Sequence, residues 1–153
     1  MRYWLMKSEP DEYSIDDLKK DRKTHWDGVR NYQARNFMRD DMKPGDGVLY
    51  YHSNTDVIGV VGIAEVCSEA YPDHTAFDAN DKHFDPKSDP ENPRWMMVDI
   101  KFKRKLKRPI PLGVIKEHAD RLDGFALIRR GNRLSVMPVD KKHWDFVLGL
   151  EES

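Results

Sequence analysis

Alternating apolar and polar positions predict at least five β-strands along the chain. The segments GVLYYHS (47–53) and DVIGVVGIAEVCSEAY (56–71) are rich in β-branched and aromatic residues, and the polar SNTD segment between them is typical of a turn. These two segments are therefore predicted to form a β-hairpin. Period-two patterns predict three further strands, in RYWLMK (2–7), RWMMVDIKFKRKL (94–106) and LSVMPV (134–139).

Helical spacing and capping residues predict short helices between the strands. Ser14 followed three residues later by Asp17 has the form of a capping box, which predicts a helix over residues 14–20. Asn31 can cap a second helix from Tyr32 to about Asp41, because its side-chain oxygen can accept a hydrogen bond from an unpaired amide of the first turn. The apolar residues of this helix recur at helical spacing and form one stripe: Ala34, Phe37, Met38 and Met42.

The remaining segments complete a mixed fold. Residues 111–122, 125–130 and 140–150 are predicted to be helical, the last capped by Asp140, whereas the acid- and proline-rich residues 71–93 are predicted to form a long surface loop. Strands of mixed length with short helices between them indicate an α+β domain built on a small, strongly bent sheet or barrel. We expect residues 1–153 to form a single domain.

Composition narrows the class of protein. With 39% hydrophobic and 35% charged residues, the chain has an ordinary globular composition, and no apolar run reaches the length of a membrane helix. Its single cysteine, Cys67, indicates a reducing compartment and is predicted to be a buried structural thiol. Because 26 basic residues stand against 27 acidic ones, a surface that coats nucleic acid on all sides is excluded, although a local basic face is not.

Enzyme signatures are absent from the sequence. It contains no GxSxG, HExxH, GxGxxG, GxxxxGK[ST] or CxxC motif, and its six histidines lack metal-ligand spacing, so no cofactor and no metal are predicted. The adjacent pairs Lys7–Ser8 and His52–Ser53 are unsuited to proton transfer, because neighbours on a strand point to opposite faces. The candidate catalytic carboxylates form no recognisable pair: Glu9, Asp27, Glu65 and Asp99.

Trp26 is the strongest candidate for a binding residue. It lies in THWDGVRN, a segment without strand or helix periodicity, and is interpreted either as a plug at the end of a barrel or as the wall of a base-stacking pocket. Arg30 and Asn31 follow it, and these side chains can pair with a phosphate or a base edge. Arg35 and Asn36, one turn later, are weaker candidates.

Two basic segments are candidates for contacts with phosphates. In KFKRKLKR (101–108), alternation directs the lysines outward, but Arg104 shares the apolar face and therefore needs a carboxylate or phosphate partner there. RRGNRLSV (129–136) contains a second cluster, in which Arg133 enters the last predicted strand. Arg104 and Arg133 are the residues predicted to bind the nucleic-acid backbone.

Seven motifs in this order resemble the EVE-domain (thymocyte nuclear protein) family: YWLMKSEP, WDGVRNYQARNFMRDDMKPGD, YHS, GIAEV, YPD, NPRWMMVDIKF and RLSVMPV. The resemblance implies a PUA-like fold, a compact bent β-barrel of about five or six strands with flanking short helices, related to the YTH and ASCH domains. It also implies a nucleic-acid-binding reader that accommodates a single modified nucleobase, chiefly a modified cytosine in DNA, in an aromatic and polar pocket, with no established catalytic step.

The resemblance also implies binding residues. The serine of the KS pair that ends the first strand lies beside the bound base in related domains, Trp26 resembles a cage wall of the YTH pocket, and Asn31 resembles its polar base-edge contact. With Arg30 added from the residue pattern, the predicted nucleobase-binding set is Lys7, Ser8, Trp26, Arg30, Asn31, His52, Ser53 and Trp95.

Three other functions remain open at this stage: an ASCH-like enzyme acting on nucleic acid or nucleotides, an RNA-binding module, and a protein-interaction adaptor. The expected partner is nucleic acid that carries a modified base, DNA rather than RNA, and no contact with a membrane is expected. The protein is expected to be a monomer. Eukaryotic family members carry a basic tail before the domain, whereas this sequence begins at the domain and resembles the minimal bacterial form. Cytoplasm is therefore the expected location, or the nucleus if the source is eukaryotic.

Overall fold

The computed structural model describes residues 1–152, without the side chain of Glu152, so the last residue of the predicted domain, Ser153, lies outside the described residues. Eight strands occur in this part of the chain: β1 (Tyr3–Ser8), β2 (Lys23–His25), β3 (Gly47–His52), β4 (Gly59–Val66), β5 (Tyr71–Pro72), β6 (Met96–Met97), β7 (Asp99–Pro111) and β8 (Val136–Val139). Six of them form one curled sheet in the order β2-β7-β4-β3-β1-β8, and β5 pairs with β6 separately. The predicted α+β class with a bent sheet is confirmed.

Bulges explain how the sheet curls. The predicted hairpin is present as the antiparallel pair β3–β4, whose register shifts between Tyr50 and Tyr51. β7 runs for 13 residues and shifts register against β4 at two places. Because an extra residue on one strand bends it and increases the local twist, these irregularities turn a flat ladder into a half-barrel.

β1 lies inside the sheet and is buried on both faces. It runs parallel to β3 and antiparallel to β8, and Trp4, Leu5 and Met6 are each at most 1% exposed. The sequence pattern predicted the strand correctly but not its double burial, because a short apolar run does not show whether one or both faces are covered. The indole N–H of Trp4 donates to the buried carboxylate of Asp46 at 3.0 Å, which satisfies the one polar atom of this side chain.

Short helices flank the sheet. The α-helices are α1 (Pro10–Tyr13), α2 (Ile15–Asp21), α3 (Tyr32–Asn36), α4 (Leu112–Glu117) and α5 (Lys141–Gly149). A π-helix (Phe37–Asp41) continues α3, and 3-10 turns are found at His74–Phe77, Ala119–Arg121, Ala126–Ile128 and Leu150–Glu152. Within residues 1–152 no helix combines the length and apolar character that crossing a bilayer requires.

The three predicted cap positions are confirmed, two of them with side-chain hydrogen bonds. Ser14 and Asp17 form the full capping box of α2, and the Asn31 side chain accepts a hydrogen bond from the Ala34 amide at 3.0 Å. The helix after Asn31 changes to π-geometry from Phe37, which the apolar spacing did not predict. Asp140 occupies the predicted cap position of α5, although its side chain makes no capping hydrogen bond.

The acid-rich segment, residues 71–93, is not the simple surface loop that its composition predicted. It contributes β5 and a 3-10 turn, and it buries Asp73, Thr75 and Ala76 completely or almost completely. The prediction for Cys67 also needs correction: the thiol lies just after β4 and is only half-buried, although this burial raises its pKa. The three-residue strand β2 was missed because its KTH sequence has no apolar alternation.

Candidate functional site

An open cleft lies at the end of β1. Its volume of about 490 Å³ is within the usual range of ligand pockets. We refer to it as the cleft. It is built from the last residues of β1, from α1, from β2 with the segment that follows it, and from one turn of the acid-rich segment. Its lining residues are Lys7, Ser8, Glu9, Glu12, Tyr13, Thr24, His25, Trp26, Asp27, Gly28, Val29, Lys82, His83 and Ser135.

Trp26 belongs both to the core and to the cleft. Its amide donates to the Val98 carbonyl at 2.8 Å, and its ring meets Tyr50 edge-on with centroids 5.6 Å apart. The side chain is 8% exposed, and that part of it lines the cleft. The plug interpretation of this indole is therefore confirmed, whereas its role as the wall of a base-stacking pocket stays a prediction.

The end of β1 brings a cation to the cleft. The Lys7 ammonium lies 5.6 Å from the centre of the Tyr51 ring, and no carboxylate of the described side chains is within ion-pair distance of it. Desolvation lowers the pKa of this half-buried amine. Such an ammonium gains from a bound anion or a strong acceptor, because its own protein neighbours compensate only part of the desolvation.

The opposite side of the cleft depends on a close contact between Gly28 and His83. Gly28 has φ +79°, and a Cβ placed on it would lie 2.6 Å from the His83 imidazole, so the ring packs directly on the glycine backbone. His83 is held in turn by its neighbours: its amide donates to Asp81, and its Nδ1 lies 3.3 Å from the same carboxylate. The acid-rich segment therefore docks on the Trp26 segment at a site where a β-carbon would force the His83 ring to move.

A buried ionic network fixes this docking. The Asp73 carboxylate accepts hydrogen bonds from the Gly28 amide at 2.8 Å, from Arg30 at 3.0 Å, and from the Thr75 amide and hydroxyl. Burial alone would raise the pKa of Asp73, but the hydrogen bonds from Thr75, Gly28 and Arg30 hold it below its ordinary value. Arg30 also donates to the His83 carbonyl at 2.7 Å, so one guanidinium clamps both ends of the acid-rich turn.

Arg30 lies beside the cleft and not in its lining. Its guanidinium is directed to Asp73, Thr75 and the His83 carbonyl and lies over the Trp95 ring at 5.4 Å, and it does not line the cleft. Its donors are thus used inside the protein. Arg30 positions the cleft rather than contacting what enters it.

Asn31 and Arg133 are placed together, but outside the cleft. Both line a second cavity of about 280 Å³, which we call the basic groove. The predicted pairing of Asn31 with a base stacked on Trp26 therefore does not follow from this geometry. The lining residues of the basic groove are Asn31, Gln33, Arg129, Arg130, Gly131, Asn132, Arg133 and Leu134.

The remaining predicted contacts have partners within the fold. His52 accepts a hydrogen bond from the Ile15 amide through Nε2 at 3.1 Å, and burial lowers its pKa. The Ser53 amide donates to the Ser8 carbonyl at 3.0 Å, and the Trp95 indole donates to Asp85 at 2.6 Å. Neither His52, Ser53 nor Trp95 lines the cleft, so their direct contact with a nucleobase stays a prediction.

Arg104 has the carboxylate partner that its sequence position required. It donates to both oxygens of Glu151, at 2.9 and 3.0 Å, and lines neither the cleft nor the basic groove. The alternative partner, a phosphate, is not needed to explain its place on β7. Contact of Arg104 with the nucleic-acid backbone stays a prediction, without support from this geometry.

The candidate catalytic carboxylates do not converge. Glu9 and Asp27 line the cleft, whereas Glu65 pairs with Lys101 at 3.1 Å. The Asp99 carboxylate accepts a hydrogen bond from the Tyr71 hydroxyl, and the Asp99 amide donates to the Ser68 hydroxyl oxygen at 2.8 Å. Among the described residues no three His, Cys, Asp or Glu side chains are grouped so that they can hold a metal ion.

Several residues that line the cleft were not predicted from the sequence, because contacts between distant segments of the chain bring them there. Tyr13 donates its hydroxyl to Asp21 at 2.8 Å, and burial together with this bond raises its pKa to about 12. Glu12 of α1 forms an ion pair with Lys82 of the acid-rich segment, and both residues line the cleft. These partners are 70 residues apart, so nothing in the local sequence of either one predicts the contact.

Gly28→Ala is expected to displace the His83 ring. The new methyl group would lie too close to the imidazole, which must rotate away, and the positive φ adds about 1 kcal/mol of backbone strain. We expect shifted His83 imidazole resonances in an NMR spectrum and a weakened His83–Asp81 contact.

Gly45→Ala is the matched control, because Gly45 also has a positive φ, of +98°, and its Cβ would meet no atom within 4 Å. This variant is expected to lose a similar free energy of unfolding but to keep the wild-type His83 resonances. Unchanged His83 resonances in Gly28→Ala would contradict the described packing.

Comparison with known proteins agrees with this architecture. The family model described as "EVE domain" matches residues 2–150, and human thymocyte nuclear protein 1 is 46% identical over 168 residues, covering 98% of this chain and 74% of the relative. A crystal structure of a Pseudomonas syringae protein, 46% identical, has a TM-score of 0.94 and covers 97% of this chain and 99% of that chain. The structure of human THYN1 protein in complex with 5-methylcytosine containing DNA has a TM-score of 0.95 at 44% identity, covering 100% of this chain and 99% of that chain. The predicted PUA-like fold is confirmed, and the chain belongs to the EVE domain family.

Proposed function

We propose that this protein reads DNA by accepting a single modified cytosine in the cleft, with its base against Trp26. The observation that carries the proposal is the cleft itself, of about 490 Å³, with an indole on one side and the unpaired Lys7 ammonium at the end of β1. The similar human THYN1 protein has been crystallised with 5-methylcytosine containing DNA, which supports the same class of ligand here.

The free-energy cost of extruding a base requires several contacts in the cleft to act together. Taking a base out of a duplex costs a few kcal/mol. Stacking on an indole returns about 1–3 kcal/mol, and burying the extra methyl group of 5-methylcytosine adds about 0.8 kcal/mol. Polar contacts from Lys7 and Ser8 must therefore supply the remainder. The methyl group alone accounts for a preference of about fourfold over cytosine.

The proposal is tested by titrating the wild-type protein with single-stranded DNA oligonucleotides that differ at one central base. We expect tighter binding of 5-methylcytosine than of cytosine by about fourfold or more. Thymine is the matched control, since it carries the same methyl group but a carbonyl oxygen in place of the amino group. Equal affinities for all three oligonucleotides would overturn the proposal.

We further propose that the protein is a binding module and not an enzyme. The cleft carboxylates of Asp27 and Glu12 pair with His25, at 3.8 Å, and with Lys82, but among the described residues the Ser8 and Thr24 hydroxyls donate to backbone carbonyls and not to these groups. The oligonucleotide should be recovered unchanged by mass spectrometry after prolonged incubation, and a new product would favour the ASCH-like alternative. An RNA oligonucleotide of the same sequence separates a DNA reader from an RNA-binding module, since only RNA brings 2′-hydroxyl groups to the site. The expected location stays the cytoplasm, or the nucleus in a eukaryote.

A further inference from the structure

The basic groove carries positive charge that the fold does not use. Arg129, Arg130 and Arg133 line it, and no acidic residue does. Other arginines of the chain have a carboxylate partner, such as Arg30 with Asp73 and Arg104 with Glu151. Among the described side chains, none of the three groove arginines has a carboxylate within 4.0 Å, so their guanidinium groups remain available to an anion from outside.

The turn that presents these arginines is held in shape. Gly131 adopts a φ of +79°, and the Asn132 amide donates to the Arg129 carbonyl at 3.1 Å. The Asn132 side chain donates to the Ala126 carbonyl at 2.6 Å and accepts from the Leu134 amide at 3.1 Å. The backbone of the groove is therefore formed before any ligand arrives, which lowers the entropic cost of binding.

Two chain segments connect the cleft with the basic groove. In one, Ser135 lines the cleft and Arg133 the groove, and in the other, Val29 lines the cleft and Asn31 the groove. Two residues span at most about 7 Å. Since one strand of DNA carries a charge about every 3.4 Å along the helix axis, the one or two phosphates next to a base in the cleft are within reach of the groove.

We propose that the basic groove binds the phosphates of the nucleotides that adjoin the base held in the cleft. This inference rests on the proposed function for its ligand, DNA, but concerns a different part of the surface. Phosphate contacts fix register without reading sequence. The groove therefore sets how tightly any DNA strand is held, whereas the cleft sets which base is preferred.

The test compares the double variant Arg130→Gln/Arg133→Gln with the wild type on single-stranded oligonucleotides carrying 5-methylcytosine or cytosine. We expect affinity for both to fall about tenfold at low salt, and the slope of log affinity against log salt to decrease by about 1.4. The ratio between the two oligonucleotides should not change. Arg130→Lys/Arg133→Lys keeps the charge and is expected to restore most of the slope.

Arg2→Gln/Arg39→Gln is the matched control, because it removes two exposed arginines near the opposite end of β1, where Arg2 pairs with Asp41 and Arg39 with Asp40. The control is expected to keep the wild-type slope, and all variants are checked for an unchanged unfolding midpoint. A groove variant with wild-type affinity and slope would overturn the phosphate site and leave the cleft proposal standing. A changed slope in a protein that shows no base preference would support the phosphate site and overturn the cleft proposal.

Discussion

Asp73→Asn protein is expected to unfold with a free energy about 2–4 kcal/mol below that of the wild type. The carboxylate is completely buried and joins four donors, from Gly28, Arg30 and Thr75. Asparagine keeps one acceptor oxygen, but it turns an NH₂ group toward donors and leaves the Arg30 guanidinium without its counter-charge. The wall of the cleft that His83 forms is released together with this network.

The difference in free energy of unfolding between the wild type and Asp73→Asn is expected to depend on pH in one direction. The pKa of Asp73 is lower in the folded protein than in the unfolded chain, where it is near 3.9. Its stabilising contribution is therefore complete above about pH 4 and is lost as the pH falls through the lower folded value. The gap between wild type and Asp73→Asn should be constant at neutral pH and shrink only in strong acid.

Urea denaturation at several pH values measures both effects. Asp78→Asn serves as the control, because Asp78 lies on the same acid-rich segment but is exposed, and its carboxylate accepts only from the Asn80 amide. An equal loss in free energy of unfolding for the two variants at neutral pH would show that the network around Asp73 does not hold the acid-rich segment in place.

The contrast between these two aspartates shows why the site was only partly predictable from sequence. Residues 71–93 contain six acidic side chains in a proline-rich context, and composition indicates a solvated loop. Which of these carboxylates is buried depends on Arg30, 43 residues away from Asp73. No local pattern carries that information, since the contact exists only after the sheet has closed.

Features determined by near neighbours were predictable. The capping box at Ser14, the cap at Asn31 and the β3–β4 hairpin each depend on residues close in sequence, and each is present. Lys7, Ser8 and Trp26 were also correctly brought together, because a strand end and an irregular aromatic segment are common places for a binding site. The part of the cleft formed by Lys82 and His83 was missed for the same reason as Asp73.

Asn31 shows a second limit of sequence reasoning. It lies two residues after Val29, which lines the cleft, yet its side chain faces the basic groove and caps α3. The chain turns at the start of this helix, so nearness in sequence to Trp26 does not bring a side chain into the same cavity. A cap and a ligand contact use the same atom, the side-chain oxygen, and the structure assigns this oxygen to the Ala34 amide.

Trp26→Ala is expected to weaken binding of the 5-methylcytosine oligonucleotide by about 1–3 kcal/mol, or roughly fivefold to 150-fold. Because the indole also packs on Tyr50 and is only 8% exposed, the same change should lower the free energy of unfolding by about 3–5 kcal/mol. The two losses must therefore be separated by measuring binding only under conditions where circular dichroism shows the variant to be folded.

Trp144→Ala further separates the loss of binding from the loss of stability. This half-buried indole packs on Tyr3 at the opposite end of β1, with ring centroids 4.6 Å apart. It should reduce stability and leave the preference for 5-methylcytosine unchanged. Trp26→Phe keeps an aromatic face in the cleft and is expected to retain part of the affinity. Folded Trp26→Ala protein that binds and discriminates like the wild type would show that the base does not stack on this indole.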